Sequence, residues 1–531
     1  MADATGRTGR DDRTWLLALS ALLALVTLSH LLGLGSAPPG LYNDEASIGY
    51  NAWAVAHSGL DEHGAHLPLF FQAFGEYKSP VYIYSLAPLT WLGSLTPALV
   101  RLPAALSGIA IAALAGVLAH RLTGSRAAVL LSVFSAGFEP WLWSESRVAF
   151  EPIVMVLLLL AAVVLLARRP VPRPSDFGLA GLAIAVSAYT YSSARLFGAL
   201  LAGAVLLVHF SGGRRRRTPG WWWLIPPVAV GYLGLLGYER AHPGILLARY
   251  SAISIGSDGA GVPVLLGRFA GNYLQYLGPS FLFTHGDANP RHNSGFGGML
   301  SVAILPVLVL GVVTLVRRRH ERFARLVLLG LLLAPVPAAL TAEGTPHGLR
   351  ATTMLPFLLV AIALGWGVVA RHLSGRPLLA GAVGLILLSS YGGYLWDYTA
   401  EFPGRSVLAW DTGEAPAIAD GHRLAAGHRL LVSTGLDQAY IQALFVLRPA
   451  PADYARQGLG SVGVVLAAGQ DLAGLSRPGD TLVLAPGDTP PGGARLVEQL
   501  TYSVDRHGYD IARGATVPVA LASVWQQPAT R

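Results

Sequence analysis

The chain has 531 residues, of which 53% are hydrophobic and only 13% are charged, whereas charged residues make up about one quarter of an ordinary soluble domain. This composition excludes an ordinary soluble protein and indicates an integral membrane protein. The net charge of +8 does not indicate a nucleic-acid partner, because the arginines cluster in short segments between apolar runs, as they do in cytoplasmic loops. The absence of cysteine excludes disulfides and thiolate metal sites.

The first apolar run extends from Trp15 to about Gly35 and follows a polar segment that carries Arg7, Arg10 and Arg13. A cleaved signal peptide has a shorter apolar core than this run. The sequence therefore predicts a retained first helix with a cytoplasmic N terminus.

Apolar runs that are long enough to cross about 30 Å of hydrocarbon as a helix recur until about Trp396. When each arginine cluster is placed in the cytoplasm, the sequence predicts about eleven spans, at 15–35, 100–121, 126–144, 150–168, 177–194, 196–212, 220–238, 298–316, 324–341, 352–370 and 376–396. An odd number of crossings puts the C terminus outside. Because the run 80–95 would spoil this parity if it crossed, it is predicted to be a surface or re-entrant helix.

The predicted fold class is mainly α. A polytopic membrane domain over residues 1–396 is followed by a soluble extracytoplasmic α/β domain over 397–531. The tail is predicted to contain β-strands at RLLVSTG, VGVVLAA, DTLVLAP and VPVALASVW and helices at DQAYIQALFVL and ARLVEQL. On this map long loops at 36–99 and 239–297 share the outer face with the segments 145–151 and 342–351. Since most connections are only a few residues long, these loops are the predicted location of the functional site.

Lys78 is the only lysine among 38 basic residues, so the chain carries 37 arginines. It lies in the stretch FGEYKSPVYIY, between Glu76 and an apolar run that includes Tyr82. A chain that otherwise uses arginine for positive charge has little reason of composition to place a lysine here, which suggests a chemical role. A lysine that extends its ammonium group to a membrane surface is the competing explanation.

Asn43, Asp44 and Glu45 directly follow the first predicted span. Asn43 is typical of a helix N-cap, and carboxylates in the first turn are stabilised by the helix dipole, so a purely structural account exists. Two adjacent carboxylates at the mouth of a span are costly if the site is desolvated, and one of them is therefore a candidate base that accepts a proton from a substrate.

The other outer segments contribute further polar side chains at the ends of spans. The candidate site residues are Arg147, Glu151, Arg195, Asp287, Arg291, His292, His347 and Arg350, accompanied by Tyr189, Tyr191, His285 and Glu343. Each one alone is explained by ion pairing or by extension to the membrane surface, although ionisable residues in such places are a functional hypothesis by default. Several cations around one or two carboxylates are the arrangement that holds a phosphate leaving group beside a general base. Arg147, His347 and Arg350 are therefore predicted to bind the phosphate of a donor together with Lys78.

A divalent metal site is the alternative chemistry for this face. His285, Asp287 and His292 are possible ligands together with Asp44 or Glu45, because hard divalent ions favour carboxylates. The Gly, Asn and Pro residues of the same segment are equally what a polar turn requires. The interpretation adopted from the sequence is that no metal is required.

Four motifs together resemble a known family: the Asp-Glu pair after the first span, E-x-K-x-P at 76–80, R-L-P at 101–103 and R-x-A-x-E at 147–151. They resemble the GT-C membrane glycosyltransferases, in particular the family 39 branch of protein mannosyltransferases and the lipid A aminoarabinose transferase. The resemblance covers about residues 1–395. The family often has K-P-P or H-P-P where this chain has Lys78-Ser79-Pro80, and Tyr77 separates Glu76 from the lysine.

The resemblance implies an inverting transfer of a sugar from a polyprenyl phosphate donor to an acceptor outside the cytoplasmic membrane. It implies that Asp44 is the base, that Glu45 is its partner and that Lys78 binds the lipid phosphate. A lysine suits that task, because a compact charge on a flexible stem follows a departing phosphate better than the rigid fork of arginine. The expected partners are the donor lipid, a protein, lipid or glycan acceptor and membrane lipid.

The alternative function is a transporter or flippase of a lipid-linked or anionic solute. Transporters place their charges near the bilayer midplane on broken helices and often contain repeated halves. Here the charged residues are predicted at one surface next to long outer loops, which favours the enzyme.

Overall fold

The computed structural model describes residues 2–210, 218–505 and 516–528. The helices, in chain order, are α1 (Ala2–Leu31), α2 (Asn43–Ser58), α3 (Pro80–Leu86), α4 (Pro97–Thr123), α5 (Arg126–Phe138), α6 (Pro140–Glu145), α7 (Pro152–Ala167), α8 (Pro174–Ser187), α9 (Ser192–Phe210), α10 (Ile225–Ala241), α11 (Ala248–Ile253), α12 (Val262–Leu277), α13 (Leu305–Arg317), α14 (Arg322–Leu333), α15 (Val336–Ala339), α16 (Leu355–Leu373), α17 (Pro377–Trp396), α18 (Phe402–Ser406), α19 (Glu414–Ala425), α20 (Ala439–Leu447), α21 (Pro451–Gln457) and α22 (Leu472–Leu475). The strands are β1 (Phe71–Ala73), β2 (Glu76–Lys78), β3 (Leu430–Ser433), β4 (Val464–Ala467), β5 (Thr481–Leu484), β6 (Arg495–Asp505) and β7 (Thr516–Gln526).

The expectation of a mainly helical membrane protein is confirmed. Within the described residues, 6 helical segments are long and apolar enough to cross a membrane: Asp12–Leu31, Pro97–Thr123, Ser192–Phe210, Arg322–Ala339, Thr352–Leu373 and Pro377–Trp410. Shorter apolar helices cover Arg126–Phe138, Pro152–Ala167, Pro174–Ser187 and Val302–Arg317. The count of about eleven spans and the orientation of the termini stay predictions.

The chain forms two compact parts. The first consists of the chain up to Leu32 together with Ala104–Leu395, and the second consists of Gly33–Pro103 together with Trp396–Arg531. The second part thus combines the long segment after the first helix with the tail. The division into a membrane domain at 1–396 and an extracytoplasmic domain at 397–531 stays a prediction.

In the first part, α16 lies at the centre of the helix packing. In the most apolar stretch of the segment Thr352–Leu373, which contains α16, 89% of the residues are buried. A helix that is buried on all sides is also apolar on all sides. Helix α16 packs closely against α13 because glycines face the neighbouring backbone on both helices. A Cβ atom on Gly311 would lie 1.8 Å from the Ala361 carbonyl oxygen, and one on Gly365 would lie 1.9 Å from that of Val307. Small residues allow such close helix contact in membrane proteins.

In the second part, the tail folds around a five-stranded mixed sheet with strand order β4-β3-β5-β7-β6. Strand β3 pairs in parallel with β4 and with β5, whereas β7 is antiparallel to β5 and β6. Leu431, Leu472, Leu482 and Leu484 are buried together in its core, with Trp525 packed against them. The four predicted strands and the helix at DQAYIQALFVL are confirmed as β3, β4, β5, β7 and α20.

The predicted helix at ARLVEQL is wrong, because this segment begins strand β6. Arg495 pairs with Gln526 and Leu496 with Trp525 in the antiparallel ladder with β7. Helical propensity is a weak preference that such pairing overrides.

The segment 80–95 contains seven residues of α-helix, Pro80–Leu86, followed by five residues of 3₁₀-helix, Ala87–Trp91. This is shorter than the roughly 20 residues that a spanning helix requires. Trp91 and Leu92 are 66% and 77% exposed. Both features agree with the surface or re-entrant helix expected from the sequence.

Candidate active site

The second part brings Asp44 and Lys78 into direct contact. Asp44 lies in the first turn of α2, and Lys78 is the last residue of β2. The Lys78 Nζ donates a hydrogen bond to Asp44 Oδ1 at 2.7 Å. The lysine side chain is only 5% exposed, whereas the Asp44 side chain is 33% exposed. The pair therefore consists of a buried cation and a carboxylate that reaches the surface.

A tight hairpin positions Lys78. Ala73 pairs with Glu76, so that the two-residue turn Phe74-Gly75 connects β1 to β2. Both turn residues have positive φ, 55° and 77°, as in the type I′ turns that suit the twist of hairpins. Phe74 thereby places its ring centroid 5.3 Å from the Lys78 Nζ, close enough for a cation–π contact. Since side chains alternate along a strand, Glu76 and Lys78 share one face of the hairpin.

Glu45 lies in a different environment from its neighbour Asp44. It forms a two-point ion pair with Arg101, whose Nε and Nη2 lie 2.8 Å from Glu45 Oε1 and Oε2, and both side chains are fully buried. The remaining guanidinium donors of Arg101 bind carbonyl oxygens of the segment before α2, those of Leu34, Pro38 and Gly40. The pair therefore anchors the loop between the first helix and α2.

Residues of the tail hold the start of α2. The helix begins at Asn43, and Tyr42 occupies the cap position, so the expected N-cap lies one residue earlier than predicted. The backbone N–H of Asn43 donates to Asp411 Oδ2 at 3.1 Å. Gln442 Nε2 donates to the Leu41 carbonyl at 2.8 Å and to Asn43 Oδ1 at 3.1 Å. Sequence reasoning missed Asp411 and Gln442, because their partners lie far away in the chain.

Glu62 is a further buried carboxylate in the second part. It is 1% exposed, and neither carboxylate oxygen has a hydrogen-bond partner among the described residues, although His63 Nε2 lies 3.4 Å from Oε1. Burial raises the pKa of Glu62, and the nearby His63 and Lys78 oppose this effect. Sequence reasoning missed Glu62, although the consecutive Asp-Glu-His at 61–63 is a sequence signal for a charged site.

Tyr82 and Glu76 have different surroundings. Tyr82 is fully buried and its hydroxyl donates to the Val100 carbonyl at 2.9 Å, which joins α3 to the start of α4. Glu76 is half-buried on the hairpin. Tyr82 therefore has a structural account, and its role in a site stays a prediction.

In the first part, Arg147 binds the C-terminal end of α1. Its Nη1 donates to the carbonyls of Ser29 and His30 at 2.8 and 3.1 Å, and its Nη2 donates to that of Leu32 at 2.9 Å. A cation at a helix C terminus satisfies carbonyl groups that lack helical partners. Arg147 is fully buried, so the structure provides a structural task for it, and its assignment to the donor phosphate stays a prediction.

Arg350 is bound to the segment that precedes it. Its Nη2 donates to Glu343 Oε2 at 2.8 Å and its Nη1 donates to the Glu343 carbonyl at 2.7 Å. Arg249 approaches the same Glu343 carboxylate to 3.1 Å.

Arg195, another predicted site residue, donates to the Leu246 carbonyl at 2.8 Å.

The remaining predicted residues of the first part include a compact cluster. Asp287 Oδ2 lies 2.8 Å from His292 Nδ1 and 3.8 Å from His347 Nδ1. Burial lowers the pKa of His347, and the charges of His292 and Arg350 lower it further. Of the predicted ligands, His285 is outside this cluster and contacts Thr284 Oγ1 at 2.8 Å.

Glu151 and Arg291 are the two remaining predicted site residues of the first part. Glu151 is half-buried and precedes α7. Arg291 is half-buried in the turn between Asp287 and His292, and its backbone N–H donates to Asn289 Oδ1 at 3.0 Å. Neither arrangement tests their predicted roles.

The fold resembles that of solved membrane glycosyltransferases. ArnT from Cupriavidus metallidurans bound to undecaprenyl phosphate aligns with a TM-score of 0.57 at 15% identity, over 96% of this chain and 97% of that chain. The same protein in the apo state aligns with a TM-score of 0.55 at 14% identity, over 97% and 98% of the two chains. An oligosaccharyltransferase of Archaeoglobus fulgidus aligns with a TM-score of 0.49 at 11% identity, over 87% and 67%.

The sequence matches no protein-family model, and the comparison with curated proteins gives no match. The structural neighbours are GT-C glycosyltransferases, which confirms the resemblance inferred from the sequence motifs at the level of the fold.

Proposed function

We propose that this protein is an inverting membrane glycosyltransferase that moves a sugar from a polyprenyl phosphate donor to an acceptor hydroxyl on the outer face of the cytoplasmic membrane. The observation that carries the proposal is the 2.7 Å contact between the buried Lys78 and the partly exposed Asp44. Such a transfer requires two charged groups, a carboxylate that accepts the proton of the acceptor hydroxyl and an ammonium group that stabilises the leaving phosphate.

Asp44 is the proposed base. Both oxygens of the adjacent Glu45 are engaged by Arg101 and are buried, so the Glu45 carboxylate has no access to an incoming hydroxyl. Asp44 is 33% exposed and lies at a helix start, where the helix dipole stabilises its charge. The two neighbouring acids thus have separate tasks, one in chemistry and one in holding the loop.

Lys78 is the proposed ligand of the donor phosphate. Before the donor binds, Asp44 and Lys78 neutralise each other. The donor phosphate competes with Asp44 for the ammonium group, because a phosphate oxygen and a carboxylate oxygen are alternative acceptors for the same N–H groups. Donor binding therefore releases the Asp44 carboxylate, which can then act as a base beside the bound sugar.

The transfer is a single displacement at the anomeric carbon. The acceptor oxygen forms a bond to this carbon while the bond from the carbon to the phosphate oxygen breaks, and the bonding electrons leave with the phosphate. The hydroxyl proton passes to the Asp44 carboxylate. The leaving phosphate is stabilised by the Lys78 cation, so the step requires neither a strong general acid nor a metal ion.

The class of donor is supported by the fold, since the similar ArnT was solved bound to undecaprenyl phosphate. The sugar is a hexose or pentose, and the acceptor is a hydroxyl of a protein, lipid or glycan. The proposed topology places the N terminus in the cytoplasm and the tail outside. A reporter that is active only outside the cytoplasm should work when it is fused after residue 400 and fail when it is fused at Arg216, which lies outside the described residues.

The direct test uses the full chain purified in detergent with a panel of hexosyl and pentosyl undecaprenyl phosphates. Release of undecaprenyl phosphate together with a product of inverted anomeric configuration, assigned by NMR, is the expected result. The Asp44→Asn variant is the inactive comparison. A protein that releases no lipid phosphate from any donor in the panel with cell-envelope acceptors, but moves the same lipids across a vesicle bilayer, would be the transporter of the alternative hypothesis.

A further inference from the structure

Three side chains of the first part, Asp287, His292 and His347, converge in a way that the proposed transfer does not use. One potential ligand atom from each lies within 4.8 Å of the other two. The Asp287 Oδ2 is the common centre, since it lies 2.8 Å from His292 Nδ1 and 3.8 Å from His347 Nδ1. We propose that these residues bind a divalent transition-metal ion of the Zn²⁺ class.

The distances agree with ligands of one small ion. Nitrogen and oxygen ligands lie about 2.0–2.2 Å from Zn²⁺ in tetrahedral sites, so two of them are separated by roughly 3.4 Å. The His347 contact with Asp287 Oδ2, at 3.8 Å, is close to this value, whereas the His292 contact at 2.8 Å is a direct hydrogen bond that an ion between the two atoms would replace. Two imidazoles and a carboxylate are also the ligand types that suit zinc rather than magnesium or calcium.

The carboxylate is held in place by backbone groups. The Asn289 N–H donates to Asp287 Oδ1 at 2.8 Å, and the Gly348 N–H donates to Oδ2 at 2.7 Å. A Cβ atom on Gly348 would lie 2.8 Å from Met299 Cε and 3.3 Å from His292 Cβ, so glycine permits this close approach. Hydrogen bonds of this kind orient metal ligands and increase affinity.

One ring nitrogen of His347 is available to an ion. His347 Nδ1 is buried and has no hydrogen-bond partner among the described residues. The nearby cation Arg350 is partly neutralised by Glu343 at 2.8 Å.

Glu145 is a second buried carboxylate close to this cluster. It is 2% exposed, and neither of its carboxylate oxygens has a hydrogen-bond partner in the described part of the chain. It lies near enough to Asp287 for that charge to act on it. Two buried carboxylates in one region are costly unless a positive charge or a proton compensates them. A divalent ion at the cluster would provide that charge, with Glu145 as a second-sphere anion.

The ion would connect two segments of the first part. Asp287 and His292 belong to the turn that follows a short π-helical segment, Ser280–Thr284. His347 and Gly348 belong to the segment before α16. The expected role is to hold these segments together, and the inference does not depend on the proposed transferase activity.

The test uses the full chain in detergent after removal of metals with a chelator. Incubation with Zn²⁺ followed by gel filtration should leave one zinc per chain by elemental analysis and raise the melting temperature. Co²⁺ in place of zinc should give the visible absorption of a four-coordinate site. Mg²⁺ and Ca²⁺ should not displace either ion.

The His347→Gln and Asp287→Asn variants should lose zinc affinity by at least about 10²-fold, and Glu145→Gln by about 10-fold, as for second-sphere groups. His285→Ala is the matched control, since this histidine belongs to the same loop but not to the cluster, and it should bind zinc normally. Equal losses in His285→Ala and His347→Gln would overturn the assignment of the ligands. A wild-type protein without stoichiometric zinc and without the cobalt spectrum would overturn the site, whether or not any variant folds.

Discussion

Arg101 and Glu45 form a two-point ion pair in which both side chains are completely buried. They are 56 positions apart in the chain, and the same guanidinium also binds three carbonyls of the segment that precedes α2. One arginine therefore fixes the path of the chain into α2, and α2 carries Asp44.

We expect Arg101→Lys to destabilise the protein, because lysine keeps the charge but lacks the planar fork that binds both Glu45 oxygens and three carbonyls. Glu45→Gln should cost about 3 kcal/mol or more, because it leaves the Arg101 charge buried and uncompensated. The measurement is the free energy of unfolding in detergent. Arg121→Lys is the control, since this exposed arginine donates to the Arg168 carbonyl and does not pair with a buried carboxylate in the described part of the chain, and a comparable loss there would contradict a special role for Arg101.

Asp44→Asn should fold and bind the donor but lose sugar transfer by at least about 10²-fold, which is the low end for a lost general base. Its affinity for the donor should be unchanged or higher, because the carboxylate that competes for Lys78 has been removed. Single-turnover transfer from a radiolabelled donor is measured beside donor binding on the same preparation. Asp453→Asn, at an exposed residue paired with Arg456, is the control, and donor binding that fell in proportion to the rate would refute Asp44 as the base.

Lys78→Ala should lower transfer by about 10²-fold or more, the effect of removing one electrostatic stabiliser of the leaving group. Lys78→Arg should recover only part of this loss, because the guanidinium is rigid and larger than the ammonium group. Rates measured over a range of donor concentrations separate binding from chemistry. Wild-type turnover in the alanine variant would show that Lys78 does not act on the donor and only pairs with Asp44.

Glu414 should make the stability of the second part depend on pH. Burial raises the pKa of this carboxyl to about 8, and the charges of Asp411 and Asp437 contribute. Because the folded-state pKa lies above the unfolded value of about 4.3, the folded state retains the proton that the unfolded state releases. The stabilisation that Glu414 contributes to the folded state is therefore fully present below about pH 4 and is lost as the pH rises to about 8.

Glu414→Gln should remove this slope, which is measured as the difference in unfolding free energy between wild type and variant at several pH values. Glu498→Gln, at an exposed position of β6, should leave the slope unchanged. A difference curve for Glu414→Gln that is flat between pH 4 and 8 would show that the group ionises equally in both states.

The membrane class, most of the apolar helices and the strands β3, β4, β5 and β7 could be predicted from the sequence, because composition and local periodicity reflect the solvent on each side of an element. Lys78 and Asp44 could also be selected, one by its uniqueness and the other by its place after the first span. The segment at Arg495 was mistaken for a helix, since its local pattern suits both structures and only pairing with β7 decides between them.

The partners of the selected residues were decided by the tertiary structure alone. The hairpin that brings Lys78 to Asp44 joins positions 34 apart, and Gln442 reaches Asn43 across 399 positions. Arg101 was visible only as part of an R-L-P motif, and Glu145 and Glu62 were not selected at all. A single sequence records which side chains are charged, whereas their burial and their partners depend on contacts between distant segments, which have no local signature.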